Sequence, residues 1–567
     1  MRHVRFRDGQ RLAVASVLLL AGLLAACGPS SSESPTFVSE PETGVYPAED
    51  YRAGEPGRPG GTLKVAVALD TGSLDLHAIT HTNAQWLGRL LFDNLVYLDE
   101  QGRPAPWLAR SWEISEDGLT YTFHLRDDVT FSDGERFNAE ALRVNLEHMR
   151  DPATKSPLAA AYIAPYEEGR VIDDYTFEAR LREPYAAFLD VLAQSWLAIY
   201  SPKAIRESAA RLNEAPVGSG PFVLESYQRQ QGIRLVRRAD YAWAPPVIGH
   251  VGPAYLERIQ IDFVPEALIR YSALASGEYH LTLDAPPQNA AALRGNPALV
   301  FDKRIRKGNP SRTITFNTEK FPFEDARVRR AIALAVDREG LVRLSGFGEF
   351  APKADFLAVN TRHYDPAFRR LLAHDPEQAE RLLDEAGWSE RDADGIRLRD
   401  GRRLSAEILL ADGFVSTTDI VAIQSDLQKI GVELKIVALP LQQIVERRTA
   451  NDYQALVTGV WHTNTPDGLY IQYHSNEIIS PQRIGQNLSR LRDPQLDELL
   501  AKARNCLQPS VCQPLYSQAQ ERLTELVPAV PVYENYSLVG ASRAVKGLIF
   551  DTSHNTLLFT HVWLDRP

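Results

Sequence analysis

An α/β protein in two lobes is the architecture this sequence predicts. Three observations point there. Segments with a helical repeat of apolar residues alternate with strand-like segments from near residue 61 to the end. About 540 residues follow the N-terminal leader, more than one hydrophobic core usually takes. No internal repeat replaces this pattern with a solenoid.

The leader comes first. Arg2, Arg5, Arg7 and Arg11 precede or open an apolar stretch over residues 12–26, which ends in Leu24-Ala25-Ala26-Cys27. A charged start, a short apolar run and small residues at the end form the layout of a secretory signal. The run is too short to span a bilayer comfortably. Leu-Ala-Ala-Cys resembles a bacterial lipobox, which implies cleavage before Cys27 and acylation of its thiol. An uncleaved signal anchor is the alternative. Each buried methylene adds about 0.8 kcal/mol, so two or more chains hold a protein stably at a membrane. Residues 27–60 follow as a tether rich in Pro, Gly, Ser and Glu, including Gly28-Pro29-Ser30-Ser31-Ser32 and Gly54-Glu55-Pro56-Gly57. Such a tether reaches roughly 30 Å.

The body opens with an apolar strand over residues 61–69. Leu119, Tyr121, Phe123 and Leu125 alternate with polar residues, so this strand has one buried face. Asn138 precedes a helix with Leu142, Leu146 and Met149 on one side. A second helix, 327–338, carries Val328, Ile332 and Ala335. Asp400-Gly401 signals a hairpin between 396–399 and 402–410. A helix ends at Gly431 and a strand follows over 432–439. Cys506 and Cys512 flank a short loop between two helical patterns. They are the only thiols besides Cys27, an even pair that suits an oxidising compartment. A disulfide there contributes about 2 kcal/mol by loop entropy. Two thiols alone make an incomplete zinc site.

The formal net charge of -11 argues against nucleic-acid binding. Enzyme signatures are missing. Gly218-Ser219-Gly220-Pro221 lacks the spacing of a nucleophile elbow, and Glu147-His148 stands without a second metal-binding histidine. Asp392-Ala393-Asp394-Gly395 starts like a calcium loop but lacks the later ligands, so it reads as a turn. His77, His81, His462 and His474 read as ordinary polar residues. No cofactor or metal is implied. Recognition chemistry gathers in residues 461–470, where Trp461, Asn464, Asp467 and Tyr470 combine aromatic, amide and carboxylate groups. Trp196 joins them as a further aromatic candidate. For Tyr470 a place in the core is about as good a reading.

The block Pro104-x-Pro106-x-Leu108-Ala109-x-Ser111-Trp112-Glu113-Ile114 leads into Asp117-Gly118-Leu119-Thr120-Tyr121-Thr122-Phe123 and then Phe131-Ser132-Asp133-Gly134. With Gly218-Ser219-Gly220-Pro221-Phe222, Phe316-Asn317-Thr318, Glu385-Ala386-Gly387-Trp388 and Val527-Pro528-Ala529-Val530-Pro531, it resembles the family 5 extracytoplasmic solute-binding proteins of ABC importers. The resemblance implies a periplasmic-binding-protein-like fold of type II, the large cluster with an extra subdomain, with solute held between two lobes that close by a hinge. Mapped here, 1–26 is a lipoprotein signal and 27–60 the tether. Lobe I is 61–310 with the extra subdomain near 85–215, lobe II is 311–534, and 535–567 returns to lobe I. The Gly/Pro-rich segment 216–222 is the expected hinge. The protein is expected outside the cytoplasm, lipid-anchored and monomeric, with a small solute and membrane permeases as partners.

Peptide receptors of this family carry an Asp three positions after the Trp matching Trp461, where it holds the ligand ammonium. Here that position is Asn464. Losing a desolvated charge partner costs roughly 2–5 kcal/mol, and Asp467 is the nearby substitute. A peptide or peptide-like solute is the first expectation. Opines, sugars and metal chelates are alternatives within the family, a signalling receptor is another use, and a secreted hydrolase is the reading from a different class.

Overall fold

The computed structural model describes residues 46–47, 57–79, 84–99, 102–156, 158–308, 312–412, 417–458, 465–480, 485–534, 536–551, 553 and 556–565. The signal segment, nearly all of the tether and Cys27 lie outside the described residues, as do Trp461 and Asn464.

Strand β1 (Thr62–Val67) opens a seven-stranded sheet. The chain then leaves to build a four-stranded antiparallel sheet from β2 (Ala109–Ile114), β3 (Thr120–Leu125), β4 (Tyr166–Asp173) and β5 (Thr176–Leu181), in the order β2-β3-β5-β4. Helix α1 (Ala139–Arg150) packs on it, capped by the Asn138 side chain, which accepts the Ala141 N–H at 2.9 Å. Such a cap contributes about 1 kcal/mol. The expected alternation in β3 is present: Tyr121, Phe123 and Leu125 are all buried.

The chain returns for β6 (Phe222–Gln228), β7 (Gly232–Arg237), β8 (Arg258–Phe263), β9 (Leu281–Thr282) and β10 (Leu299–Ile305). A second sheet follows from β11 (Arg312–Phe316), β12 (Ser405–Ala411), β13 (Glu433–Leu439), β14 (Ala455–Thr458) and β15 (Ala529–Tyr533), before β16 (Tyr536–Ser542) rejoins the first. The strand orders are β10-β16-β9-β1-β8-β7-β6 and β13-β12-β14-β11-β15. Helices α2 (Ala326–Ala335), α3 (Thr417–Lys429), α4 (Asp467–Tyr473), α5 (Pro494–Arg504) and α6 (Pro509–Leu526) belong to the second lobe's stretch of chain.

Local chemistry explains small departures from the sequence reading. The helix expected over 327–338 is two helices, because Val336 is extended, Asp337 is non-helical, and the Asp337 side chain caps the next helix through the Gly340 N–H at 2.8 Å. Asp400 and Gly401 form the hairpin turn with φ of 54° and 73°. The strand after it breaks at Leu404, and only Ser405–Ala411 joins the main sheet. The 216–222 segment is not between the lobes. Gly220 N–H bonds Leu91 O at 3.0 Å, and a Cβ on Gly218 or Gly220 would strike the Leu91 backbone. Its glycines therefore serve close packing inside the first lobe.

Strand directions position the site. β1 runs parallel to β8 and β9, while β16 runs antiparallel to β9 and β10, so β10 shares the direction of β9. In the second sheet β12 is parallel to β13 and β14, and β11 is antiparallel to β14 and β15. The chain passes between sheets twice, over 306–311 and over 534–535. Each crossover joins the carboxyl edge of one sheet to the carboxyl edge of the other. Ligands of open α/β sheets sit outside that edge.

Candidate ligand cleft

The first-lobe wall is built where β1 and β9 end. Asp284 Oδ2 accepts the Ala68 N–H at 3.0 Å. Asp70 accepts the Tyr227 hydroxyl and the Gln230 N–H, both at 2.8 Å. These carboxylates are spent on fixing loops. Beside them Arg306, the first crossover residue, donates a long 3.4 Å bond to Ser537 Oγ. Burial lowers the Arg306 pKa from its usual value, with Asp284 opposing.

The second-lobe wall carries Thr313 on β11 opposite Thr458, the last residue of β14, and opposite Pro531 on β15. With Thr315, Phe356, Gln472 and Tyr473 they line a small concavity with room for about one water-sized group. Nearby, Asp419 is balanced by Arg312 at 3.5 Å and by the Tyr533 hydroxyl at 3.0 Å.

Contacts across the cleft hold the two walls together. Glu349 of the second lobe takes a two-pronged bond from Arg294 of the first, both at 2.6 Å. Arg294 holds the Glu349 carboxyl below its usual pKa. Arg362 reaches the buried Asp190 at 3.3 Å. Ile471 on α4 packs into the hydrophobic core of the extra sheet.

Asp467 occupies a different role from the one expected of it. Its carboxylate is 1% exposed, 3.0 Å from the Nε of Arg504, itself 4% exposed. Its other oxygen accepts the Tyr185 hydroxyl at 2.7 Å from the first lobe. Burial raises the pKa of Tyr185, and Asp467 adds to that. Burial opposes the charge on Arg504, but Asp467, Tyr185 and Tyr470 together outweigh it and the pKa rises. Asp467 is thus a paired structural anion here, not a free anchor for a cation. Sequence reasoning missed Tyr185 and Arg504. The available signal was an acid opening the mostly apolar helix Asp467–Tyr473, which requires a partner when buried.

The other candidates divide. Tyr470 is half-buried, stacked on His474 with centroids 4.2 Å apart and covered by the Arg504 guanidinium at 4.2 Å, so it packs on its own lobe. Trp196 is 0% exposed in the core of the extra sheet, near Tyr162, and presents no surface to a solute. Its aromatic bulk serves packing. Cys506 and Cys512 are joined in a disulfide. Asp392 and Asp394 are engaged by Arg403 at 3.0 and 3.1 Å, which accounts for the calcium-like run as a turn. Among the described residues no cluster of three or more His, Cys, Asp or Glu forms a metal site.

Residues 103–478 match the family described as bacterial extracellular solute-binding proteins, family 5. The chain belongs to that family. As a family 5 protein it is a solute-binding receptor of the ABC-importer type, outside the cytoplasm, and not an enzyme. Among its relatives is the glutathione-binding protein GsiB of Escherichia coli (strain K12), 26% identical over 500 residues that cover 85% of this chain and 91% of the relative. The heme-binding protein A of Haemophilus influenzae is 28% identical over 476 residues, 78% of this chain and 81% of that one. The periplasmic binding protein DppA of Helicobacter pylori, solved with the peptide STSA, is 26% identical with a TM-score of 0.76, covering 90% of this chain and 99% of its own. Among the described residues no helix is long and apolar enough to cross a membrane.

Proposed function

We propose that this receptor is anchored through an acylated Cys27, captures a peptide or peptide-like solute between its two sheets, and passes it to an ABC importer by cleft closure. The observation that carries this reading is the pair of facing carboxyl edges, joined by two short crossovers and bridged by Tyr185–Asp467 and Arg294–Glu349. Such bridges form when the lobes approach and break when they part. GsiB and DppA, the relatives named for glutathione and crystallised with a peptide, support a peptide-like solute. In this reading 1–26 is removed, 27–60 is the tether, although its described residues Tyr46–Pro47 and Arg58–Gly60 are held against the folded body through Ile549–Phe550, Asp565 and Tyr255, and lobes 61–310 and 311–534 work as a monomer with 535–567 completing the first. With Asp467 paired to Arg504, Trp461 and Asn464, which lie outside the described residues, remain the proposed solute contacts, both uncharged. Native mass spectrometry of the purified protein tests this: a bound solute of small-peptide mass is expected. A Cys27→Ser protein is expected to be released or left unprocessed. Normal lipid labelling of that variant, or a bound solute with no amide bond, would refute the corresponding half.

A further inference from the structure

We propose that the concavity at the carboxyl end of β14 is a subsite for an uncharged hydrogen-bond-donating group of the solute, a hydroxyl or an amide N–H, with Gln472 Oε1 as its main acceptor. This rests on the solute-binding reading above and deepens it. The location comes from register. Thr313 pairs with Thr458, the last residue of β14, so the concavity lies at the carboxyl end of β14, the edge where the two sheets are joined.

Its hydrogen bonds are arranged to accept. The Thr458 hydroxyl donates to the Thr313 carbonyl at 3.3 Å, and the Thr315 hydroxyl lies 2.8 Å from Thr458 Oγ1. A proton run from Thr315 to Thr458 to the carbonyl leaves Thr315 Oγ1 with free lone pairs. Gln472 Oε1 is buried and, among the described residues, has no hydrogen-bond partner. A native protein seldom leaves such an acceptor unmatched without a use for it. Two acceptors lining one concavity call for a donor.

The walls decide the rest. Phe356 and Tyr473 meet edge to face, with centroids 5.7 Å apart at 85°, and Pro531 completes a stiff apolar rim. No carboxylate or cationic side chain lines the space among the described residues. An ammonium or carboxylate there would lose water without gaining a counter-charge. The space has room for about one water-sized group, so it suits the tip of one solute group and not a whole solute.

Two tetrapeptides, Ser-Thr-Ser-Ala and Ala-Ala-Ala-Ala, share backbone and termini and differ in hydroxyls. Calorimetry on the wild type is expected to favour the hydroxylated peptide by roughly five- to tenfold. Gln472→Met, which keeps the volume, is expected to abolish that preference, and Thr315→Val to weaken it. In solute-free protein Gln472→Met is expected to melt no lower than the wild type, because it removes a buried unpaired acceptor. A preference that survives in Gln472→Met, its absence in the wild type with both peptides bound, or a clear fall in melting temperature would overturn the subsite. If neither peptide binds, the peptide reading of the solute fails, and the melting comparison alone decides the subsite.

Discussion

Tyr185 reaches across the cleft to donate a 2.7 Å hydrogen bond to Asp467, a carboxylate that Arg504 already neutralises inside its own lobe. The contact therefore joins the lobes without leaving a bare charge on the second lobe when they separate. Tyr185→Phe tests its role in closure. A hydrogen bond to a charged acceptor contributes about 1.5–3 kcal/mol. Losing it is expected to weaken retention of the co-purified solute by about tenfold or more and to enlarge the radius of gyration of the solute-bound protein in small-angle scattering. Unchanged affinity and radius would mean that closure does not use this bond.

Asp467→Asn separates the structural role of this carboxylate from a ligand role. Removing one member of a buried ion pair costs about 3–5 kcal/mol because the partner stays buried and charged. The variant is expected to lose stability on that scale in urea unfolding, with partial recovery when Arg504→Met is added. A variant that keeps its stability and loses only solute affinity would restore Asp467 as the ligand's anchor.

These two residues also mark where sequence reading stopped. The strands were legible because Tyr121, Phe123 and Leu125 carry a period of two, and the hairpin because Asp400-Gly401 tolerates positive φ. The disulfide followed from counting thiols. The cleft was less legible, because its partners are far apart in the chain. Tyr185 and Asp467 stand 282 positions apart, and Thr315 and Thr458 stand 143 apart. No local periodicity encodes such meetings. Trp196 misled for the opposite reason: an aromatic residue has the same sequence signature in a core as on a binding wall.

Acid sensitivity is expected from His77. It is fully buried, its Nδ1 lies 3.0 Å from His148 Nδ1, and its Nε2 donates to Ala198 O at 2.8 Å. With Nε2 protonated, Nδ1 accepts from His148, and both rings are neutral. Burial first, and then His148, push the His77 pKa down to about 3, and burial lowers that of His148. The folded pKa lies below the unfolded one, so the unfolded chain binds more protons between them. Stability is then full above about pH 6.5 and falls as pH drops toward 3, by about 1.4 kcal/mol per pH unit from His77. Asp75 and Asp93, both raised to about 6 by burial, act in the opposite sense between 6 and their ordinary value. Urea unfolding at pH 7 and pH 5 isolates the His77 share. In His77→Gln the loss of stability between the two is expected to be smaller than in the wild type by about 2 kcal/mol. An equal loss in both proteins would show that His77 does not carry it.

The Cys506–Cys512 disulfide closes the turn between α5 and α6, two residues beyond Arg504. The Arg504 carbonyl accepts the Ala186 N–H from the first lobe at 3.2 Å, and Leu507 inside the loop lies against Gly118 of the extra sheet. The turn therefore braces the second lobe where it meets the first. By loop entropy its crosslink contributes about 2 kcal/mol. Cys506→Ser with Cys512→Ser is expected to lower urea stability by about that amount. Because the loosened turn also carries Arg504, the double variant is expected to hold its solute less tightly, as Tyr185→Phe does. Combining Tyr185→Phe with the double serine variant gives the deciding cycle. If both act on the same interlobe contact, the losses of affinity are less than additive. Fully additive losses would place the disulfide's effect in the second lobe's fold alone.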